Sequence, residues 1–428
     1  MKEPIIFSDL LLETKDGEWG EGQETPGHVL CDVIRGTDFA DLHSPSIELP
    51  QRWIPEHLAE RKKLKAGDIL IETAGGTAKQ STGRTALITE NFLASRGLRP
   101  VLCSSFARHL RVDRSKVHPA YLYYVLQALY ASGYMGVFNL QHTGVSRFQF
   151  TAFRTKTRLR LHDNDAQPKI AAILATYDEL IANNQHRIAL LESMAEGIYR
   201  EWFVRMRFPG HADCPLDKGL PKGWFSLPLS SLVGEVKKPV KKSDLLDYSR
   251  YVGLEHISRK SLALSMFGAP ESVDSSKLAF ARGDILFSKI RPYLHKVALA
   301  HFDGISSTDS LILRAKKELY REFALFTIFS ETFIDLANTA SKGTKMPRAD
   351  WDFLKQLKVS TPSDALLEAF IKVVRPMLDE MAALIQVSEI LAEQAKSLLP
   401  RLISCRLRVD HLDITYPLSM KAELVQAT

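Results

Sequence analysis

Cysteine is scarce in this chain. Cys31, Cys103, Cys214 and Cys405 are the only four in 428 residues, and no two form a CxxC pair. That excludes a disulfide framework and the usual zinc-ligand spacings. Long apolar runs are missing as well, and no stretch approaches the roughly 20 residues that a membrane span requires. The opening MKEPIIFSDLLLETKDGEWG is too acidic, and its apolar run too short, for a secretory leader. The expectation is a cytoplasmic protein with no membrane partner.

Motifs that carry chemistry are absent too. There is no HExxH, no GxSxG, and no Asn-Pro-Pro-Tyr or Asp-Pro-Pro-Tyr of the kind amino-methyltransferases use. The Gly-rich stretch IETAGGTAKQSTGRTALI at 71–88 invites comparison with a phosphate cradle. It is not a P-loop, because Gly83 is followed by Arg84 and Thr85, and residue 78 is Ala. His211 and Cys214 in PGHADCP read as linker residues, not metal ligands. These absences predict no catalytic residue, no metal and no cofactor.

What is present is a modest excess of positive charge, unevenly placed. The formal net charge is +6. Residues 167–208 carry five basic and five acidic groups, and residues 363–409 carry six of each. Residues 1–166 hold 21 basic against 19 acidic, residues 209–362 hold 23 against 17, and the tail from Asp410 holds one against three. The surplus lies outside the two neutral stretches, which points to a polyanionic partner, although many soluble proteins are mildly basic.

The neutral stretches read as long helices. In QPKIAAILATYDELIANNQHRIALLESMAEGIYREWFVRMRF at 167–208, apolar residues recur at spacings of three and four, at Leu174, Tyr177, Ile181, Ile188, Leu191 and Ile198. The polar Asn184 interrupts them, either to fix register or as an exposed position. From Ala365 to Val409 a second seam runs through Leu378, Met381, Ile385 and Leu399, interrupted by Ser388. At about 1.5 Å per residue the first helix would extend on the order of 60 Å, and its seam needs a partner. The second helix supplies one. Both close on similar basic signatures, Arg205-Met206-Arg207-Phe208 and Arg406-Leu407-Arg408-Val409, and Pro376 predicts a kink in the second.

Before each helix lies a segment of 150–165 residues, and the two share landmarks in the same order, as an internal duplication does. Ile6–Leu10 answers Pro228–Leu232 at each entry, GDILIE at 67–72 answers GDILFS at 283–288, and YLYYVLQALY at 121–130 answers LYREFALFTIFSE at 319–331. HTGVSRFQFTAFRTKTRLRL at 142–161 answers SKGTKMPRADWDFLKQLKVSTP at 341–362. The predicted class is mixed α/β, with two domains in tandem, each followed by a long helix, and the helices paired as an antiparallel coiled coil. The expected bounds are 1–163 for the first domain, 164–209 for the first helix, 210–362 for the second domain, 363–409 for the second helix, and 410–428 for a tail.

With these landmarks the chain resembles the specificity subunit of Type I restriction-modification systems. The resemblance rests on GDILFSKIRPYLHKVALA at 283–300, SKGTKMPRADW at 341–351, LPKGWFSLPLSSLV at 220–233 and the first helix. It implies two target recognition domains that each read half of a bipartite, asymmetric site on double-stranded DNA, set apart by helices that dock methyltransferase subunits. It also implies that catalysis belongs to partner chains, an adenine methyltransferase and an ATP-dependent endonuclease. The competing reading is a coiled-coil adaptor whose paired domains bind peptides or proteins. An enzyme with an unrecognised site ranks below both.

Candidate DNA-binding residues lie in loops. In the first domain these are Lys79, Gln80, Ser81, Thr82 and Arg84, with Arg147 in the later Gly turn. In the second they are Ser288, Lys289, Arg291, Tyr293, His295 and Lys296, then Lys342, Thr344, Lys345 and Arg348. Arginine addresses guanine O6 and N7 with two hydrogen bonds, whereas lysine more often meets phosphate. For each loop the alternative is a solvated turn. FRTKTRLRL at 153–161 reads as a strand with a cationic face, either for DNA or to protect a sheet edge.

Overall fold

The Gly-Asp pairs in the two GDIL motifs show how the chain builds its sheets. In the computed structural model, which describes residues 3–42, 47–76, 80–142, 145–217, 219–341, 343, 346–417 and 419–420, Gly67 and Gly283 have φ of +87° and +90°. Glycine adopts that region without a Cβ penalty, so the chain turns sharply into the strands Ile69–Glu72 and Ile285–Ser288. The following aspartates are buried and clasp an arginine on a neighbouring strand. Arg111 donates to Asp68 at 3.0 and 2.8 Å, and Arg314 donates to Asp284 at 2.7 and 2.8 Å. Each aspartate also accepts a backbone N–H three residues back, from Lys65 and Ala281. The hydrogen bonds to these aspartates hold both guanidinium pKa values above their usual level.

The chain divides into two compact units, residues 1–183 with 389–428, and residues 184–388. In the first, a four-stranded sheet has the order Leu11–Asp16, Ala107–Val112, Ile69–Glu72, Thr85–Leu87. In the second, the order is Val233–Glu235, Ser310–Ala315, Ile285–Ser288, Val297–Leu299. The strands follow each other in chain and in space in the same permuted way. A parallel pairing also recurs, between His28–Ile34 and Val101–Cys103 in one unit and Tyr251–Val252 and Gly304–Ser306 in the other. So does the entry: Ile5–Ile6 pairs antiparallel with Arg158–Leu159, Phe225–Pro228 pairs with Lys358–Thr361, and each entry strand runs into a short 3-10 turn.

The helical patches lie as expected, at Pro119–Ala131 and Arg321–Phe329. The cationic strand expected at 153–161 does not form. Phe150–Lys156 is helical there, because Phe150 and Phe153 face the core at helical spacing, and only Arg158–Leu159 is extended.

The two long helices run Ala166–Tyr199 and Asp364–Ile403. The first ends in a π-helical turn, Arg200–Val204, so regular α-helix stops short of Phe208. The second is helical without interruption across Pro376. Both stop in the same way, on a left-handed non-glycine residue (Met206, φ +57°; Cys405, φ +60°). A backbone hydrogen bond six residues back follows, Arg207 to Glu201 at 2.7 Å and Leu407 to Arg401 at 3.0 Å.

Within the unit of residues 184–388, Ile188 is buried in one core with Leu378, Met381 and Ile385, and Leu191 and Ile198 pack against it. Asn184 is only 6% exposed, and its amide donates to the Ser388 hydroxyl at 3.2 Å. The polar residues that interrupt the two seams therefore satisfy each other. Arg187 pairs with Glu380 nearby. On the adjacent helix Arg321–Phe329, buried Glu322 receives Arg375 at 2.7 and 3.0 Å. Burial pushes that carboxyl up, but hydrogen bonds from Arg375 and Arg321 outweigh it and hold the pKa below its usual value. Within the other unit, Ile170 and Leu174 share a core with Leu402, and Leu399 packs against it. Tyr177 and Ile181 are half-buried. No helix among the described residues is long and apolar enough to cross a membrane.

Candidate functional site

In each unit the strand that begins within GDIL leads into a loop, and a later segment, 145–148 in the first unit and 346–349 in the second, folds back onto it. In the second unit, Lys289 donates its backbone N–H to Asp309 at 2.9 Å and accepts from Ala349 at 2.8 Å. Ile290 bridges Arg348 in antiparallel register, and the Arg291 N–H reaches the Pro347 carbonyl at 2.8 Å. Segments 288–296 and 346–349 thus form one surface, although 49 residues separate them in the chain.

The side chains on this surface divide by direction. Arg291 and Arg348 are exposed, and Tyr293 is 53% exposed. Arg291 sits in left-handed conformation, φ +51°, between its backbone bond to Pro347 and the turn Pro292–Leu294. A non-glycine residue held there costs of order 1–3 kcal/mol, which the flanking structure must supply. Arg348 is oriented by Asp309 at 3.1 Å. Lys289 is half-buried, and desolvation pushes its pKa down against the pull of Glu235 and Asp309.

The remaining candidates in this loop face inward. Ser288 is buried and donates to the Ile290 carbonyl at 3.0 Å. His295 is buried; its Nε2 lies 2.7 Å from the Phe329 carbonyl, the geometry of an N–H donor. Lys296 donates to the Leu254 carbonyl at 2.5 Å, and burial lowers its pKa. These three brace the loop. Lys342, Thr344 and Lys345 lie outside the described residues.

In the first unit the corresponding surface is made by strand Val145–Phe148 pairing with Ala74–Gly76, with an irregular register between Ser146 and Arg147. Phe148 donates its N–H to Thr73 at 2.9 Å. Gly76 has no room for a Cβ, which would fall 2.8 Å from the Gln80 carbonyl and 2.9 Å from Thr82. Arg147 and Gln80 are exposed. Ser81 is half-buried, and its carbonyl accepts from the Tyr130 hydroxyl at 3.0 Å. Thr82 is 0% exposed and hydrogen-bonded to Asn139. Arg84 is forked onto buried Glu72 at 2.9 and 2.6 Å, and those hydrogen bonds raise its pKa. Lys79 lies outside the described residues.

The structure therefore brings together Arg291, Tyr293, Lys289 and Arg348 on one surface, and Gln80 and Arg147 on strands and loops of the other. It turns Thr82, Arg84, Ser288, His295 and Lys296 toward protein partners. Sequence reading missed Glu72 and Asp309, the acids that orient Arg84 and Arg348. Glu72 carried a signal, since an acid ends GDILIE where serine ends GDILFS, but Asp309 lies in a segment with no landmark. No group of three or more His, Cys, Asp or Glu able to hold a metal ion exists among the described residues.

The chain is 37% identical over 92 residues to the specificity subunit of the Type I restriction enzyme EcoDI of Escherichia coli, a match that takes in 22% of this chain and 20% of that protein. It is 21% identical over 406 residues to the MjaIX specificity subunit of Methanocaldococcus jannaschii, covering 89% of this chain and 87% of its relative. The solved S subunit of a Type I restriction-modification system from M. genitalium matches over 96% of both chains with a TM-score of 0.56 at 14% identity, a likeness of fold. No protein-family model matches the chain. The chain is thus similar in sequence to two specificity subunits of Type I restriction enzymes, locally to one and along nearly its whole length to the other, and it shares the fold of a third.

Proposed function

We propose that this chain is the non-catalytic DNA-recognition subunit of a Type I restriction-modification complex. The observation that carries this reading is one strand order occurring twice, with different side chains on the joined loops at the same place in each unit. One scaffold with two faces suits a bipartite, asymmetric target on double-stranded DNA, read through domains at about 1–163 and 210–362. Arg291 is the best base-reading candidate, being exposed, stiffly presented, and without a carboxylate partner among the described residues. Arg348, Lys289 and Arg147 suit phosphate, which positions without specifying sequence.

In this reading the long helices form an antiparallel spacer that sets the gap between half-sites and docks adenine methyltransferase subunits, with an ATP-dependent endonuclease joining the assembly in the cytoplasm. The Asn184–Ser388 and Arg187–Glu380 contacts support opposed directions, since one partner advances along the chain as the other recedes. Polar pairs on an apolar seam specify register at some cost in stability.

The test is DNA binding by the chain assembled with its methyltransferase, followed by mapping of modified adenines. Affinity for the mapped site is expected to fall steeply with salt as counterions are released. Binding that ignores salt, or that prefers peptides to DNA, would instead support an adaptor.

A further inference from the structure

Backbone hydrogen bonds put the loop surfaces of the two units into one register. The Thr73 N–H reaches the Phe106 carbonyl at 2.8 Å, and the Thr73 carbonyl accepts from Phe148 at 2.9 Å. Lys289 makes the same two bonds, to Asp309 at 2.9 Å and from Ala349 at 2.8 Å. One residue further on, Ala74 stands opposite Arg147 and Ile290 opposite Arg348. Position by position, Gly75 answers Arg291, Arg147 answers Arg348, and Phe106 answers Asp309.

At these matched positions the chemistry is exchanged. Both corners have positive φ, +112° at Gly75 and +51° at Arg291, but the first unit offers no side chain there. In the second unit Asp309 turns its carboxylate onto Arg348 at 3.1 Å. Phe106 brings a phenyl ring to the same place and leaves it 64% exposed. A second apolar group lies on this surface. Leu140 pairs with Arg147 across the antiparallel strands Asn139–His142 and Val145–Phe148, so their side chains share a face, and Leu140 is 47% exposed.

Single exposed apolar side chains are ordinary on protein surfaces, but the backbone beneath this one is unusually well tied. The Phe106 carbonyl also accepts the Ala74 N–H at 3.3 Å, and the turn closes behind it with Ala107 donating to Ser104 at 2.9 Å and Gly17 donating to Ala107 at 3.0 Å. A ring on a fixed backbone gives up little freedom when a ligand covers it, so contact there is cheap.

We propose that Phe106 is a specificity-determining residue of the first unit, its ring packing on the C5-methyl group of a thymine in the major groove. The inference rests on the DNA-recognition reading given above. Thymine alone among the four bases carries a methyl on its major-groove edge, and an apolar side chain is the group that reads it. Arg147, on the same sheet, then meets phosphate and fixes the register of the ring on the duplex. The two units would thus read by different means, the second with the guanidinium of Arg291 and the first with an apolar contact.

The experiment uses the full chain assembled with its methyltransferase, bound to the mapped site. Each thymine of the site, on both strands, is replaced in turn by deoxyuridine, which removes the methyl and keeps every hydrogen-bonding group. One replacement, in one half-site, is expected to weaken binding about fourfold, the scale of uncovering one methyl group. F106A is expected to bind the unmodified site about tenfold less tightly and to be indifferent to that replacement, while keeping its discrimination in the other half-site. Because the ring is exposed, its removal leaves the core intact. A parent complex insensitive to every replacement, or an F106A complex that keeps the same sensitivity, would overturn the proposal, and so would a uniform loss on thymine and uracil sites alike. In each of those cases salt-dependent, sequence-specific binding by the parent leaves the DNA-recognition reading standing, whereas a parent that binds no DNA site removes both.

Discussion

The two units share a frame and differ in what they do with one position. After Gly-Asp-Ile-Leu, the first chain segment ends its strand on Glu72 and the second on Ser288. Buried Glu72 draws Arg84 back into a forked ion pair, so a cationic loop is neutralised from beneath. Ser288 merely closes its own turn, and Arg291 is left facing solvent. A duplicated scaffold can therefore carry similar numbers of basic residues in its loops and yet offer them to a ligand very differently. Counting arginines in a loop says little until the acids beneath it are known.

The shared part of the frame can be broken first. Asp68→Ala strips half-buried Arg111, whose side chain is 20% exposed, of its buried partner and leaves it only Glu13, so the loss is expected to approach the scale of about 3–5 kcal/mol for breaking a buried ion pair. Asp284→Ala leaves Arg314, whose side chain is 53% exposed, able to find water, so about 1–3 kcal/mol is expected. Urea unfolding followed by hydrogen exchange in each unit measures both. Equal losses would mean that solvent access to the arginine does not matter.

The difference between the loops is tested next. Arg291→Ala is expected to relax discrimination at one base position by about 1–3 kcal/mol. Arg348→Ala should weaken binding evenly across sequences. Competition binding with single-base variants of the mapped site separates these outcomes, and an even loss for Arg291→Ala would make it a phosphate contact.

Glu72→Gln should make the first loop behave more like the second. Freed from its carboxylate, Arg84 becomes available to phosphate, and the slope of log affinity against log salt is expected to steepen by about one unit. An unchanged slope would show that Arg84 stays folded away even without its counter-charge. The smallest expected effect lies on the helices, where Asn184 and Ser388 should show a coupling energy of about 1 kcal/mol in a double-mutant cycle of unfolding.

Much of this architecture could be read from the chain. GDIL occurs twice because a positive-φ glycine and a buried aspartate are both needed at that corner, and each leaves a residue type that sequence displays. The two long helices were equally readable, since heptad spacing survives for dozens of residues, and the polar residues that interrupt it, Asn184 and Ser388, meet in a hydrogen bond. Residues 150–156 misled because alternating Arg and Lys imitates a strand, while the deciding pattern was Phe150 and Phe153 at helical spacing against the core. The inward turn of Thr82, His295 and Lys296 could not be read at all, because their partners Asn139, Phe329 and Leu254 lie between 34 and 57 residues away. Polar side chains in a loop look alike in a sequence whether they brace it or display it.

The left-handed backbone at Arg291 carries one more implication. Most residue types resist that region, glycine and asparagine least, so replacing Arg291 by either would ease the turn as well as removing a cation. Drift at this codon is thus biased toward variants that hold the loop better and grip less. A lineage that keeps arginine there forgoes a cheap gain in stability, as the DNA contact proposed for the guanidinium would require.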